Sequence, residues 1–241
     1  MIEKKSGLAA PMNSVTNPPA TSKLVAYITP MAVFIGILAL VEPLKKLGGP
    51  FWVQAPEYWL YPLQTLICAA LLAWFWRRYE LRPPAGLPWA LGIGLLVFVL
   101  WIAPQQFLGF PPRKDGFNPD IFAAHPLAYW GTVKFRFLRL VIVVPLVEEI
   151  FWRGFLLRYF IDEKFDRVPL GAFSWLSFGV VTLGFTFAHS PADWVAAAIT
   201  GALYNLVAYR TKSLTACVLT HALTNLLLGL WIMSTKQWGF W

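Results

Sequence analysis

Three short patterns in the C-terminal half of the chain combine chemically capable side chains with spacings that bring them to one helix face. The patterns comprise Glu148, Glu149 and Arg153, then Phe185 and His189, and finally His221 and Asn225. Residues four apart lie on the same face of an α-helix. Glutamate and histidine exchange protons, and histidine and asparagine donate hydrogen bonds. Together the patterns favour a site for acid–base chemistry.

The first pattern puts charge where a lipid-facing helix carries none. It lies within the apolar run VIVVPLVEEIFWRGFLLRYF, and Glu148 falls roughly 17 Å into a helix that begins at Phe137. An ionisable side chain at the bilayer centre costs about 2.5–3.5 kcal/mol on insertion scales. The spacing of Glu149 and Arg153 predicts an ion pair, whereas Glu148 is turned by about 100° toward a cavity. Glu148 is therefore the candidate general base.

The other two patterns are weaker when taken singly, because a lone membrane histidine more often makes a hydrogen bond between helices. Phe185 and His189 end the fifth apolar run, and His221 and Asn225 lie within the seventh. Three polar clusters in one membrane chain favour a shared site over separate packing contacts. The remaining polar groups of these runs can bond to their own helix and are assigned no role: Ser174, Thr182, Thr186 and Asn205.

The composition requires a membrane around these patterns. Of the 241 residues, 58% are hydrophobic and 13% are charged, about half of the roughly 25% that soluble domains carry. This supply is too small to coat a water-facing surface, which excludes a soluble enzyme and a disordered chain. Thirteen Trp, nineteen Phe and eight Tyr fit aromatic belts at two interfaces. The net charge of +8 comes from residues at the ends of apolar runs, which indicates anchoring to the lipid bilayer and not binding of nucleic acid.

The apolar runs predict an all-α fold, a polytopic integral membrane helix bundle with seven or eight transmembrane helices. A helix needs roughly 20 residues to cross about 30 Å of hydrocarbon. The seven predicted spans are residues 24–41, 58–76, 87–103, 137–160, 168–188, 194–209 and 214–233. Residues 127–140 add either an eighth span or an interfacial helix that carries Lys134, Arg136 and Arg139.

The polar segments divide the chain into four parts. We assign a disordered polar tail to residues 1–22, N-terminal spans with a long loop to 23–136, the core that carries the three patterns to 137–233, and a short C-terminal tail to 234–241. The long loop, 104–126, is interpreted as an ordinary solvated connection. Lysine and arginine are more frequent on the side of the N-terminus, which places that terminus in the cytoplasm.

The order of the patterns EExxxR, FxxxH and HxxxN on helices of a polytopic chain resembles the CPBP family of intramembrane proteases (CAAX protease and bacteriocin-processing, or Abi), which includes the type II CAAX prenyl endopeptidases. The phrase VPLVEEIFWRGFLLRY further resembles a CAAX-protease-related subgroup that accompanies PEP-CTERM and exosortase systems in bacteria. The resemblance covers residues 137–233. It implies a multi-pass protein of the bacterial inner membrane that cleaves membrane-tethered peptides or proteins, with prenylated CAAX-like chains as one class.

The resemblance also implies a role for each patterned residue. Glu148 would be the general base on a water molecule, and His189 would help to hold or activate that water. His221 and Asn225 would stabilise the oxyanion that forms on the scissile carbonyl, a contribution of about 2.7–4 kcal/mol for each donor in comparable sites. The supporting residues are Glu149, Arg153 and Phe185, of which the first two hold the helix so that its catalytic carboxylate faces the water.

A zinc ion is the alternative that the residues leave open. Glu148, His189 and His221 resemble the His₂Glu ligand set of thermolysin-type proteases, although the HExxH spacing is absent. Zinc would take Glu148 as a ligand and leave Glu149 as the base. We expect metal-free chemistry with no required cofactor.

The depths of the two histidines in the membrane raise a difficulty for a single site. If the rise of a straight helix is counted from residue 168, His189 lies near one membrane surface. Counted in the same way from Leu214, His221 lies about 10 Å in from the opposite surface. Convergence therefore requires tilted helices, a recessed hairpin at 189–193 or a later start of the fifth span.

Two other functional classes stay open. A proton-coupled transporter also buries Glu and His, but transporters usually carry matching sites in both halves, and the N-terminal half here offers Glu42 and Glu57 at span ends. A non-catalytic scaffold would keep the same residues for helix packing or for binding a partner membrane protein.

Overall fold

A computed structural model describes residues 20–113 and 116–241. The predicted disordered tail lies outside the described residues up to residue 19, and residue 20 already belongs to the first helix. Within the described ranges the chain is helical and contains no strand, as predicted. The helices are α1 (Ala20–Leu38), α2 (Val41–Lys46), α3 (Phe51–Gln54), α4 (Glu57–Phe75), α5 (Leu87–Phe107), α6 (126–159), α7 (Trp175–Phe187), α8 (Trp194–Thr211) and α9 (Leu214–Thr235).

In the part of the chain that the structure describes, four helical segments are long and apolar enough to cross a bilayer: Lys23–Lys46, Glu57–Arg78, Leu87–Phe107 and Leu214–Thr235. The shorter α7 is also apolar, and large hydrophobic side chains stay exposed over much of the bundle. A protein in water seldom leaves so much apolar surface uncovered. The chain is therefore an integral membrane protein built as a helical bundle.

Helix α6 is one uninterrupted helical stretch, which corrects the prediction for its N-terminal part. Its consecutive segments are Pro126–Phe137, Leu138–Val143, Val144–Glu149, Ile150–Leu156 and Leu157–Tyr159, and the second and fourth are π-helical. Residues 127–140 therefore do not form a separate helix but continue into the segment that carries the glutamates. Arg136 and Arg139, which that interpretation exposed to headgroups, are each 6% exposed, whereas Lys134 is exposed.

Helix α7 begins at Trp175, seven residues later than predicted. Gly171 has a positive φ of 78°, and the Ser174 hydroxyl accepts a hydrogen bond from the backbone N–H of Ser177, an N-cap that starts the helix. A helix of 13 residues rises about 20 Å, which is less than the thickness of the hydrocarbon layer. His189, two residues beyond its end, is thus reached by a short helix, and the difficulty that a straight helix from residue 168 raised does not arise.

A charged cluster at the end of α4 fixes α1 and α6 to each other. The Glu80 carboxylate accepts hydrogen bonds from Lys23 Nζ at 2.6 Å and from Arg158 Nη1 at 3.2 Å. Burial alone would raise the pKa of Glu80, but the hydrogen bonds and charges of Lys23 and Arg158 hold that pKa below its ordinary value. The carboxylate therefore stays ionised and links three parts of the chain.

Helices α5 and α9 pack closely through small residues and hydroxyl groups. Thr220 Oγ1 donates to the carbonyl of Ala90 at 3.1 Å, and Thr224 Oγ1 donates to the carbonyl of Gly94 at 2.9 Å. A Cβ atom added at Gly94 would lie 2.8 Å from the carbonyl oxygen of Thr220. This approach sets the position of α9, which carries two of the patterned residues, His221 and Asn225.

We predict that Gly94→Ala lowers the free energy of unfolding by about 1–3 kcal/mol, because the new methyl group meets backbone that cannot move aside. Gly92→Ala is the matched control on the same helix, since no atom lies within 4 Å of its added Cβ, and we expect it to be neutral or slightly stabilising. Thermal unfolding of the detergent-solubilised protein checks both. Equal shifts for the two variants would contradict the close contact.

Candidate active site

The structure brings the predicted catalytic residues to one cavity of about 430 Å³. Glu148 comes from α6, His189 follows the end of α7, and His221 and Asn225 come from α9; all four line the cavity wall. Three separate elements thus supply a carboxylate, two imidazoles and an amide to one space. Their catalytic roles remain predictions at this point.

Behind the cavity wall lies a buried charge network centred on Glu149. Its carboxylate oxygen Oε1 accepts hydrogen bonds from Arg153 Nη1 at 3.0 Å and pairs with His221 Nδ1 at 2.9 Å. The side chains of Glu149 and Arg153 are both 0% exposed. The ion pair expected from the i,i+4 spacing is present, and it includes a partner from α9 that spacing alone did not indicate.

Arg153 extends this network to α8. Its Nε donates to Asn205 Oδ1 at 3.1 Å and its Nη2 donates to the carbonyl of Gly201 at 3.2 Å. Asn205 in turn donates to Thr182 Oγ1 of α7 at 3.1 Å. Asn205 and Thr182, to which the sequence assigned no role beyond bonding to their own helices, therefore join different helices. The missed signal was that a buried guanidinium has five donors and needs acceptors from several helices.

Phe185 explains how His189 is held. The carbonyl of Phe185 lies 2.8 Å from His189 Nδ1, and because a carbonyl only accepts, Nδ1 carries the proton and Nε2 is left for other partners. The Phe185 ring contacts the imidazole, with ring centroids 4.7 Å apart, and also packs against the Arg153 guanidinium at 5.0 Å. One aromatic residue thus joins the charge network to the second histidine.

Asn225 is held by a backbone irregularity in α6. In the π-helical turn Leu138–Val143, the N–H of Val144 bonds to the carbonyl of Arg139, and the next donor in that pattern would be Pro145, which has no N–H. The carbonyl of Leu140 instead accepts a hydrogen bond from Asn225 Nδ2 at 2.8 Å. A carboxamide has two N–H groups, so Asn225 keeps one donor for a molecule in the cavity.

Glu148 differs from its neighbour in having no hydrogen bond or ion pair to any part of the chain that the structure describes. It is partly exposed to the cavity, where Arg139 lies close enough for the two charges to interact. Adjacent residues on one helix therefore have different environments. Glu149 is buried and paired through Oε1 with Arg153 and His221, and Glu148 is available to a bound water.

Three arginines line the same cavity, namely Arg113, Arg136 and Arg139. Arg113 forms an ion pair with Asp193, and burial lowers the pKa of Arg113, an effect that the Asp193 carboxylate opposes. The side chain of Arg113 is 9% exposed, so the loop 104–126 is not the wholly solvated connection that the sequence suggested. Residues 114–115 of that loop lie outside the described residues.

The zinc ligand set considered above does not assemble as a metal site. No three or more His, Cys, Asp or Glu side chains come together as possible metal ligands within residues 20–113 and 116–241. Glu148, His189 and His221 nevertheless line one cavity. Metal-free chemistry stays a prediction, and no step of the chemistry below uses a metal.

Residues 130–227 match the family model described as type II CAAX prenyl endopeptidase Rce1-like. This segment contains every residue of the three patterns. Residues 130–227 thus form a domain of the CAAX protease (CPBP) family. No curated protein and no solved structure matches the chain. Membership of this family supports an intramembrane protease activity of the CAAX type, directed at membrane-associated substrates, for the CPBP domain.

The charge network of the CPBP domain supplies a stability test. Arg153→Gln leaves the Glu149 carboxylate buried without its cation, and we expect the free energy of unfolding to fall by about 3–5 kcal/mol. Adding Glu149→Gln removes the unpaired charge, so the double variant should be more stable than Arg153→Gln alone. Thermal unfolding in detergent measures the cycle, with the exposed Arg77→Gln as a control that should match the parent. A double variant less stable than Arg153→Gln would argue against the pair.

Proposed function

We propose that the CPBP domain hydrolyses a peptide bond of a membrane-tethered substrate with a water molecule activated by Glu148. The observation that carries this proposal is the unpartnered carboxylate of Glu148 in the same cavity as His189, His221 and Asn225. A carboxylate that served only packing would be paired within the protein, as Glu149 is. The free one faces the space that a substrate carbonyl and a water would share.

In the first step Glu148 accepts a proton from the water while the water oxygen bonds to the carbonyl carbon. The Nε2 atom of His189 has a free lone pair, because Nδ1 is committed to the carbonyl of Phe185, and it accepts a hydrogen bond from the same water. When the C–N bond breaks, the proton on Glu148 passes to the leaving nitrogen. General base catalysis of this kind contributes about 10²–10⁴ in rate.

The negative charge on the substrate oxygen is stabilised from α9. Asn225 offers its second N–H, and its side chain is pre-oriented by the hydrogen bond to Leu140. His221 presents Nε2 to the substrate oxygen, because its Nδ1 lies against Glu149. Donors fixed before the reaction need no reorganisation when the oxyanion forms.

The substrate and the setting follow from the resemblance to the family. We propose membrane-tethered peptides or proteins as substrates, with prenylated CAAX-like chains as one class, in the bacterial inner membrane. The link to PEP-CTERM and exosortase components belongs to the same proposal. So does the expectation that the hydrolysis requires no metal, since Glu148 and His189 can activate the water and the two groups of α9, His221 and Asn225, can stabilise the oxyanion.

Glu148→Gln should reduce cleavage by at least about 100-fold, because the amide cannot accept the proton of the water. The assay follows cleavage of a panel of membrane-anchored peptides, prenylated ones included, by the protein in proteoliposomes, with products identified by mass spectrometry. Glu163→Gln is the control, since Glu163 is exposed and outside the cavity. Cleavage that persists in Glu148→Gln would refute the general-base assignment, and cleavage of no peptide by the parent would favour a scaffold.

Metal dependence is tested on the same preparation. We expect purified protein to contain less than one zinc per chain and to keep its cleavage rate after treatment with a chelator. Stoichiometric zinc together with chelator-sensitive cleavage would contradict the metal-free mechanism and would move Glu148 and the histidines into a ligand shell.

A further inference from the structure

Trp101 brings an aromatic ring from outside the CPBP domain into the active-site cavity. It belongs to α5, which precedes residues 130–227, and it lines the cavity together with Glu148 and His189. Its ring centroid lies 5.5 Å from that of the His189 imidazole, with the planes at 64° in an edge-to-face arrangement. Part of the indole packs against the hydrophobic core, and the residue stays partly exposed. A helix that the family model does not include thus contacts one of the proposed catalytic residues.

The packing of α5 against α9 explains why Trp101 reaches this point. The carbonyls of Ala90 and Gly94 accept hydrogen bonds from hydroxyl groups of α9, and Val97, close to that face, is 0% exposed. Gly94 and Trp101 are seven positions apart, close to two helical turns, so they lie on nearly the same face of α5. At the level of Gly94 the small residues let the helices approach. About 10 Å further along the axis, this face carries a large ring to the cavity.

The imidazole of His189 needs a contact of this kind to keep one orientation. The carbonyl of His189 accepts a hydrogen bond from Trp194 Nε1 at 3.1 Å, which holds the backbone but not the ring. The χ2 torsion of histidine is broad and roughly two-fold. A half-turn about this torsion would put Cδ2 in the place of Nδ1 and Cε1 in the place of Nε2. The hydrogen bond from Nδ1 to the carbonyl of Phe185 would then be lost, together with the lone pair that faces the water.

Two aromatic rings restrict this torsion. Phe185 contacts the imidazole with ring centroids 4.7 Å apart and planes at 44°, and Trp101 contacts it from α5. Aromatic pairs at these separations attract each other beyond the area that they bury. Phe185 lies four positions before His189 in the chain, so it moves with the end of α7, whereas Trp101 is anchored on another helix. The orientation of the imidazole relative to the rest of the cavity therefore depends on Trp101.

We propose that Trp101 is a positioning residue for His189, whose imidazole it holds with Nδ1–H on the carbonyl of Phe185 and with Nε2 toward the cavity. Its effect on turnover rests on the hydrolysis proposed above, in which this Nε2 accepts a hydrogen bond from the attacking water. Trp101 itself exchanges no proton. Loss of the ring slows the reaction through His189 alone, because the water must be held in one geometry for the attack.

The first test observes the ring of His189 without requiring turnover. The chain contains three histidines, so ¹⁵N-histidine labelling of the protein in lipid nanodiscs gives few NMR signals, which His125→Gln and His189→Gln assign. Spectra at about pH 8, where an ordinary histidine is neutral, show which ring nitrogen carries the proton. We expect Nδ1 to carry it in the parent and in Trp101→Phe, which keeps an aromatic ring. Trp101→Leu should lower the ratio of Nδ1-protonated to Nε2-protonated His189 about tenfold.

His221 is the internal control of this experiment, since Glu149 holds its Nδ1, and its signals should stay the same in every Trp101 variant. Trp74→Leu is the matched substitution, because Trp74 is 84% exposed and lies outside the cavity; it should leave the His189 signals unchanged. Mixed protonation of His189 in the parent would overturn the proposal, as would a spectrum that Trp101→Leu does not alter. Equal changes at His189 and His221 would also overturn it, because they would indicate a general disturbance of the fold.

The cleavage assay tests the consequence for turnover. Trp101→Leu should lower kcat about tenfold and change KM by less than about threefold, whereas Trp101→Phe should restore most of the rate. In His189→Gln protein the same Trp101→Leu change should cost less than about twofold, because the residue that Trp101 positions is absent. Equal losses with and without His189 would refute a role through that ring. If the parent cleaves no peptide, the proposed hydrolysis fails, while the NMR spectra still decide whether Trp101 holds His189.

Discussion

The buried carboxylate of Glu149 is the interaction on which the site depends. One of its oxygens pairs with Arg153 of its own helix and with His221 of α9, and Arg153 reaches Asn205 of α8. Charges out of water are stable only where they are matched and hydrogen-bonded, so the three helices must keep their relative positions. The same constraint directs the neighbouring Glu148 away from the network and toward the cavity.

Irregular hydrogen bonding in the backbone of α6 helps to position the side chains of the site. Two π-helical segments flank the turn that carries the glutamates, and such segments are frequent at functional sites. At the first of them, Pro145 cannot supply an N–H, and the carbonyl of Leu140 becomes the acceptor for Asn225. A local defect in hydrogen bonding on α6 thus orients a donor on α9. A regular helix would have used that carbonyl internally.

The cavity differs from the rest of the bundle in its charge. Arginines from α6 and from the preceding loop line it together with two carboxylates, and the last residues of the chain cover one side through Phe240, over which Arg113 lies at 3.8 Å. Buried arginines and a free carboxylate in one space are costly if they serve packing alone. The hydrolysis proposed above gives the free carboxylate such a further use.

The sequence by itself determined the membrane class, the helical fold and the family. A chain with so few charges cannot coat itself for water, and the spacing of Glu149 and Arg153 defines a pair within one helix, so these properties are local or compositional. Only the tertiary structure decided that α7 starts at Trp175, that Arg136 is buried in the cavity instead of lying at the headgroups, and that Asn205 completes the network. Each depends on which groups distant helices bring together, and neither hydropathy nor helical periodicity contains that information.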